Sequence, residues 1–139
     1  MSRHTARIIH AAMTAGVVVI VVTFGVVRQV APPEPLDELV WVFRLIALVN
    51  VIVVIVMARM LRSQLGPLER GEHEDAWWRA YGVPIVLVWA LAEGAATVGA
   101  VFWLLTGDMP MLVGVSAVSL AVLVANRPTR IVERRAPND

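Results

Sequence analysis

The chain contains no cysteine and no lysine, and only 17% of its 139 residues are charged. Without cysteine it forms no disulfide, no thiolate nucleophile and no cysteine metal site. Cysteine usage therefore does not indicate whether the protein occupies an oxidising or a reducing compartment. All twelve basic residues are arginines, which hold their charge more firmly than lysine does in a low-dielectric setting. Soluble domains average about 25% charged residues, so this scarcity of charge already points to a membrane protein.

Apolar residues are correspondingly abundant, at 58% of the chain with a mean hydropathy of +0.73. A helix needs about 20 apolar residues to cross the hydrocarbon of a bilayer, and four segments come close to or exceed that length. Because backbone groups in lipid must be satisfied within the segment, we predict helices and not open strands. The predicted fold is all-α, one domain over residues 1–139, with four transmembrane helices at about 8–27, 39–58, 83–106 and 109–126.

The distribution of arginine predicts the orientation of these helices. Loops on the cytoplasmic side of a membrane carry an excess of basic residues. Arginines precede the first span, occupy the connection 61–82 and follow the fourth span, whereas the other side has Arg28, the shallow Arg44 and several acids. We therefore predict that both termini, the loop 61–82 and the basic tail 127–139 are cytoplasmic.

Glu93 is the one ionisable residue within the predicted third span. A charged side chain at the centre of a bilayer costs at least about 2.5 kcal/mol, so such residues are rare and mark ion paths or polar contacts inside a helix bundle. A carboxyl that is neutral in the membrane and ionised when water reaches it is what a proton carrier requires. Glu93 is therefore the candidate ion-binding residue.

Helical geometry predicts the surroundings of this carboxyl. Asn50 on span two and Ser119 on span four lie at nearly the depth of Glu93, at about 1.5 Å per residue, and Thr97 lies one turn along. We predict that these three side chains support Glu93 in one polar layer. Arg44 lies roughly 10 Å shallower, so a direct pair with Glu93 would require strong tilt. The Glu93 face of the helix comprises Val86, Trp89, Ala90, Ala96, Thr97, Ala100 and Leu104.

Small residues predict where the helices pack, because they let neighbouring backbones approach closely. The predicted packing residues are Ala90, Ala96 and Ala100 on the third span and Gly114, Ala117 and Ala121 on the fourth.

Aromatic and histidine residues near the span ends predict contacts with lipid headgroups. Trp77, Trp78 and Tyr81 precede the third span, as interface anchors of an aromatic belt do. His10 lies in the first turn of span one and is predicted to anchor that helix. Acids flank His73, but adjacent residues point to different sides of a helix, so we predict no metal site.

Residues 89–105 resemble the carboxylate helix of rotary ATPase c subunits. In that family an A-L-x-E core, here Ala90-Leu91-Ala92-Glu93, is followed by small residues and an aliphatic run, and a cytoplasmic loop precedes the helix. The resemblance implies that Glu93 binds a proton or Na⁺ and faces a neighbouring helix in an oligomer. The whole chain is similar to small four-span bacterial membrane proteins, which implies a multi-pass protein of the bacterial inner membrane.

Two functions from different classes remain open. In the first, the chain is an oligomeric membrane protein in which Glu93 binds H⁺ or Na⁺. In the second, it is a structural or accessory subunit in which a protonated Glu93 donates one interhelical hydrogen bond, an interaction that averages about 0.6 kcal/mol in membranes. Small four-span drug exporters use a glutamate in their first span, but span one here contains no acid.

The remaining sequence predicts no enzyme activity. It contains no nucleophile–base pair, phosphate-binding loop, haem motif or nucleotide fingerprint. We therefore predict no catalytic residue, no cofactor and no nucleic-acid partner. The expected partners are the lipid bilayer and either further copies of the chain or another membrane protein.

Overall fold

The computed structural model describes residues 1–31, 33–34, 36–67 and 73–133, and these ranges contain helices and no strand. The prediction of an all-α protein is therefore confirmed. A single turn of 3-10 helix, Asp37–Leu39, leads into the second helix. The five α-helices are α1 (Arg3–Val30), α2 (Val40–Gln64), α3 (Glu74–Thr106), α4 (Met109–Ala125) and α5 (Pro128–Glu133).

Several of these helices are long and apolar enough to span a membrane. By length and composition, Arg3–Val30, Asp37–Gln64 and Glu74–Thr106 qualify, while α4 is a shorter apolar helix of 17 residues. At about 1.5 Å per residue, the 33 residues of α3 extend for about 50 Å, well beyond the roughly 30 Å of hydrocarbon. The longest of these helices is therefore long enough to extend past the apolar core of a bilayer.

The connection 61–82 is more helical than its sequence suggests. Helix α2 continues to Gln64 and α3 already begins at Glu74, so the predicted loop is helical at both ends. The reason is apolar packing outside the span, since Leu61, Leu65 and Trp78 are 3%, 6% and 0% exposed. The rest of this loop at 68–72, which includes Arg70, lies outside the described residues, as does the tail from Arg134 onward.

Helix α3 is the centre of the bundle. It packs against α1, α2 and α4, and 44% of its most apolar stretch is buried, against 6% for α1 and 11% for α2. Helices α1 and α2 are consecutive in the chain, yet both pack mainly on α3. Their outward faces expose large side chains, with Val19 61% and Trp41 69% exposed. Most of the surface of α1 and α2 is therefore left uncovered by the rest of the bundle.

Close approach of α3 and α4 depends on Gly99. A Cβ atom built on Gly99 would lie 2.9 Å from the Cβ of Val115 on α4, closer than packed carbon atoms come. Glycine leaves the space in which the branched Val115 side chain fits, and Val115 is itself 5% exposed. The predicted small-residue packing of the third span is thus realised most tightly at a residue that was not among those predicted.

Polar contacts at the helix ends define which segments share an end of the bundle. Arg3 forms an ion pair with Glu74, with an N–O distance of 3.1 Å, so α1 and α3 start at the same end. Helices α2 and α4 also run parallel, because Arg44 binds Asp108 at 2.7 Å at one end and Arg62 Nε donates to Asn126 Oδ1 at 3.2 Å at the other. The amino terminus, the α2–α3 connection and α5 therefore lie together at one end.

At the opposite end, Arg28 of α1 caps α3. Its guanidinium donates to the main-chain carbonyls of Trp103, at 3.0 Å, and Leu104, and lies 5.5 Å from the centre of the Trp103 ring. The last carbonyls of a helix have no partner within the helix, and a cation there also opposes the negative end of the dipole. Gly107 follows with a left-handed φ of 76°, which favours glycine after a helix end.

Candidate functional site

The carboxyl group of Glu93 lies in the interface between α3 and α1. It points at Gly16 of α1, where an added methyl group would overlap Oε1 of Glu93 and lie 3.1 Å from its Cδ. The absence of a side chain at Gly16 therefore creates the space that the carboxyl occupies. The Glu93 side chain is half-buried, so one side of the interface leaves it open to the surroundings of the bundle.

Within the described ranges, the Glu93 carboxyl makes no side-chain hydrogen bond and no ion pair. Thr97 lies one turn away, but its hydroxyl donates to the main-chain carbonyl of Glu93, at 3.0 Å. Helix α3 is continuous through this position, so its carbonyls stay within the helix. Sodium sites in transporters are built from unwound carbonyls and helix ends, which this stretch of α3 does not offer.

The three predicted supporting residues, Asn50 on α2, Thr97 on α3 and Ser119 on α4, do not bind the Glu93 carboxyl. Asn50 Nδ2 donates to the carbonyl of Ile46 on its own helix, at 3.3 Å, and Ser119 is 1% exposed in the packing of α4. No hydrogen bond in the described ranges connects Asn50, Thr97 or Ser119 to the Glu93 carboxyl. The polar layer was predicted from the depth of each residue in the membrane alone. Depth does not determine the direction in which a side chain leaves its helix.

Asn50 nevertheless lies close to the level of Glu93. Helices α2 and α3 run antiparallel, with Phe43 stacked on Phe102 toward one end (4.6 Å between ring centres) and Trp77 Nε1 donating to the Gly66 carbonyl at the other (3.1 Å). Between these two contacts, each step forward along α2 corresponds to a step backward along α3. Asn50 therefore lies opposite the part of α3 that contains Glu93. The depths are similar, but Glu93 turns toward α1 and Asn50 bonds its own backbone.

The predicted packing residues divide into two groups. Ala96 and Ala100 are both 0% exposed inside the bundle. The other four predicted packing residues face outward and do not pack within the bundle. They are Ala90, Gly114, Ala117 and Ala121. The physical reason is that α4 presents Met111, Leu112 and Val115 to α3, so its small residues fall on the opposite side.

The two tryptophans among the predicted interface anchors are buried, which corrects the expectation that they face headgroups, whereas Tyr81 is half-buried. Trp77 and Trp78 are 2% and 0% exposed, and Tyr81 lies 5.1 Å from Trp77 between ring centres. Their polar atoms bind protein, since Trp77 donates to the Gly66 carbonyl and Trp78 Nε1 to Glu74 Oε1 at 3.3 Å. Trp77 therefore fastens the segment that follows α2 to the start of α3, whereas Trp78 binds within α3.

The structure also reveals a polar cluster that the sequence did not predict, formed by His10, Arg62, Trp89 and Asn126. His10 Nε2 donates to the Leu123 carbonyl at 2.9 Å, and Trp89 Nε1 donates to the Asn126 carbonyl at 3.0 Å. The His10 ring also meets the Trp89 ring edge-on, with 5.0 Å between centres. With Arg62 on the Asn126 side chain, one residue from each of α1, α2 and α3 binds the carboxyl end of α4.

This cluster changes the interpretation of His10, which serves a helix end inside the bundle and is not simply a headgroup anchor. The carbonyls at the end of a helix need partners when they are buried, and His10 and Trp89 supply two of them. In the sequence, Asn126 directly follows the last apolar residue of span four. Because asparagine is common at helix ends, this residue was the available signal for polar contacts at the end of α4.

Comparison of the chain with models of protein families, with curated proteins and with solved structures gave no match. The feature of this chain that bears most directly on function is the half-buried carboxyl of Glu93 beside Gly16.

Proposed function

We propose that the chain is a four-span protein of a bacterial inner membrane, with both termini cytoplasmic, in which Glu93 reversibly binds a proton at the α1–α3 interface. The observation that carries this proposal is a half-buried carboxyl that occupies the space left by Gly16 and has no side-chain partner among the described residues. The fourth span, the cytoplasmic termini and the binding of a proton are each supported by separate observations.

The parallel arrangement of α2 and α4 supports a fourth span. The two polar contacts between these helices, Arg44 with Asp108 and Arg62 with Asn126, join residues separated by the same 64 positions. Helix α4 therefore accompanies α2 along the whole stretch from Arg44 to Arg62. If α2 crosses the bilayer, α4 reaches the same two depths, although its 17 residues extend for only about 26 Å.

The arrangement of charge supports cytoplasmic termini. At the end of the bundle that holds the amino terminus, the described arginines are Arg3, Arg7, Arg59, Arg62, Arg79, Arg127 and Arg130. The opposite end has Arg28, which caps α3, and Arg44, which pairs with Asp108. This asymmetry follows the tendency of basic residues to stay on the cytoplasmic side.

The surroundings of Glu93 favour a proton over Na⁺. A carboxylate without a counter-ion is strongly disfavoured in an apolar environment, and the group becomes neutral instead by binding a proton. In the described ranges no ion pair reaches the Glu93 carboxyl, and Arg44 pairs with Asp108 instead.

A second candidate is an assembly role, favoured by the same partial exposure of Glu93. The large unburied surface of α1 beside this residue can be covered by another copy or another membrane protein. A protonated Glu93 would then donate a hydrogen bond across that contact. Glutamine retains a donor and an acceptor, so Glu93→Gln would preserve assembly while removing proton exchange.

The absence of cysteine makes the topology directly testable. Single cysteines at Gln29 and Met109 should react with a membrane-impermeant maleimide in intact cells, because both positions are exposed at the proposed outer end. Cysteines at Ser63 and Arg127 should react only after lysis. The cysteine-free parent is the background control, and labelling of Arg127→Cys from outside would contradict the crossing of α4.

Glu93 should react with a hydrophobic carbodiimide, and intact mass after treatment at several pH values measures this reaction. We expect labelling of the wild type to fall as the pH rises, because the protonated carboxyl is the reactive form, and to be indifferent to Na⁺. Glu93→Gln should abolish it. Absence of labelling at every pH would mean that the carboxyl is sealed in packing, and the assembly role would replace proton exchange.

A matched pair of glycine variants tests the geometry of the same site. Gly16→Ala adds a methyl group where Oε1 of Glu93 lies, so it should push the flexible carboxyl out of the interface and speed its labelling. Gly25→Ala adds the same methyl group to α1 with nothing within 4 Å, and should leave the rate unchanged. Equal rates in the two variants would contradict the contact with Gly16.

A further inference from the structure

A groove of about 370 Å³ runs along the outside of the bundle between α2 and α4. Its walls are apolar, with Ala47, Leu48 and Val51 on the α2 side and Gly114 and Val118 on the α4 side. Gly114 leaves it open, since an added Cβ would meet nothing within 4 Å. The groove is separate from the Glu93 site, which faces α1 on another side of α3.

One end of the groove carries charge. Arg44 and Asp108 line it, and Arg44 Nε donates to Asp108 Oδ2 at 2.7 Å. The Arg44 side chain is 63% exposed, whereas that of Asp108 is 7% exposed and directly precedes the first turn of α4, where the helix dipole offsets negative charge. In the described ranges the two terminal nitrogens of Arg44 make no hydrogen bond, so they remain free to bind an anion.

The length of the groove matches one leaflet of a membrane. From Asp108 to Val118, α4 rises by about 15 Å, which is half of the roughly 30 Å of hydrocarbon in a bilayer. A cation therefore lies at the headgroup level, and an apolar channel leads from it toward the midplane. A phospholipid has the complementary layout, with a phosphate above an acyl chain.

We propose that this groove binds one phospholipid of the outer leaflet, with an acyl chain between α2 and α4 and the phosphate on the terminal nitrogens of Arg44. Arginine suits this role because its fork of donors matches phosphate oxygens two at a time. Asp108 positions the guanidinium through its Nε and leaves the fork directed outward. The inference rests on the four-span arrangement proposed above, but not on proton exchange at Glu93.

The test uses the full chain in nanodiscs of phosphatidylcholine containing a small fraction of phosphatidylglycerol with a photoreactive diazirine in the middle of one acyl chain. After irradiation, peptide mass spectrometry locates the cross-links. We expect them to concentrate on Leu48, Val51 and Val118. Uniform labelling of outward residues would overturn the lipid site and leave the four spans intact, whereas no labelling of α4 at all would contradict the four-span arrangement itself.

Two variants and one control make the result specific. Gly114→Leu fills the groove without touching the ion pair, and Arg44→Gln removes the positive charge and the guanidinium fork that would bind phosphate. Gly114→Leu should exclude the acyl chain, and Arg44→Gln should lose the charge-assisted contact with phosphate, so each should reduce groove cross-linking about tenfold or more. Gly25→Leu fills equally open space on α1 and should change nothing. If Gly114→Leu instead alters the number of copies per disc with cross-linking unchanged, a second copy occupies the groove and the lipid proposal fails.

Discussion

Gly99→Ala should destabilise the protein by about 1–3 kcal/mol, the usual cost of forcing extra atoms into a packed core. The new Cβ would lie 2.9 Å from the Cβ of Val115 and 3.1 Å from its Cγ1. The Cβ of valine is held by its own helix, so the strain cannot be relieved by rotating a flexible side chain. Helices α3 and α4 would have to separate, and Gly99→Leu should separate them further.

Gly94→Ala is the matched control on the same helix. Nothing lies within 4 Å of the added methyl group, and replacing glycine by alanine within a helix favours folding by up to about 1 kcal/mol. The two substitutions are chemically identical, yet their effects should have opposite signs. Unfolding in increasing dodecyl sulfate, followed by circular dichroism, measures both. Equal shifts for Gly94→Ala and Gly99→Ala would contradict the close contact of α3 with α4.

Trp89→Ala should strongly destabilise the bundle. Trp89 is 0% exposed, and removal of a buried tryptophan side chain costs about 3–5 kcal/mol. The variant would also free the Asn126 carbonyl, which accepts the indole N–H at 3.0 Å, and would remove the ring that packs against His10. We expect the carboxyl end of α4 to detach before the rest of the bundle unfolds.

Trp89→Phe separates the hydrogen bond from the packing. It keeps an aromatic ring beside His10 but loses the donor to Asn126, and an unsatisfied buried carbonyl costs about 1–3 kcal/mol. Trp41→Ala is the control, because Trp41 is 69% exposed on α2 and exposed substitutions usually change stability by less than about 0.5 kcal/mol. Dodecyl sulfate unfolding should rank Trp41→Ala, Trp89→Phe and Trp89→Ala in order of increasing damage. A silent Trp89→Phe would mean that the Asn126 contact contributes nothing.

Much of the helical framework follows from the sequence. The apolar segments are long, and a backbone without water must form its hydrogen bonds internally, so helices were the expected outcome. The residues at which the helices begin and end were harder to predict from the sequence. Helix α3 begins at Glu74, nine residues before the predicted span at 83, because Trp77 and Trp78 are buried against protein and hold a further helical stretch outside it.

The candidate site, like the helices, could be predicted from the sequence only in part. One carboxyl in an apolar span is visible in the sequence, and so is its depth, because every helical residue advances the chain by about the same rise. Gly16 as its neighbour could not be predicted. One glycine among several on the apolar helices carries no mark of the side chain that fills its space, and the contact joins residues far apart in the chain.

Sequence by itself determined the class of this protein: all-helical, strongly apolar, with several helices able to span a membrane and a glutamate at mid-span. Only the tertiary structure decided which way each side chain turns. It directs Glu93 to Gly16 and away from Asn50, pairs Arg44 with Asp108, and buries the tryptophans expected at the surface. The physical reason is that hydropathy and helical rise act along one segment, whereas rotation about a helix axis is chosen by close packing between segments distant in sequence.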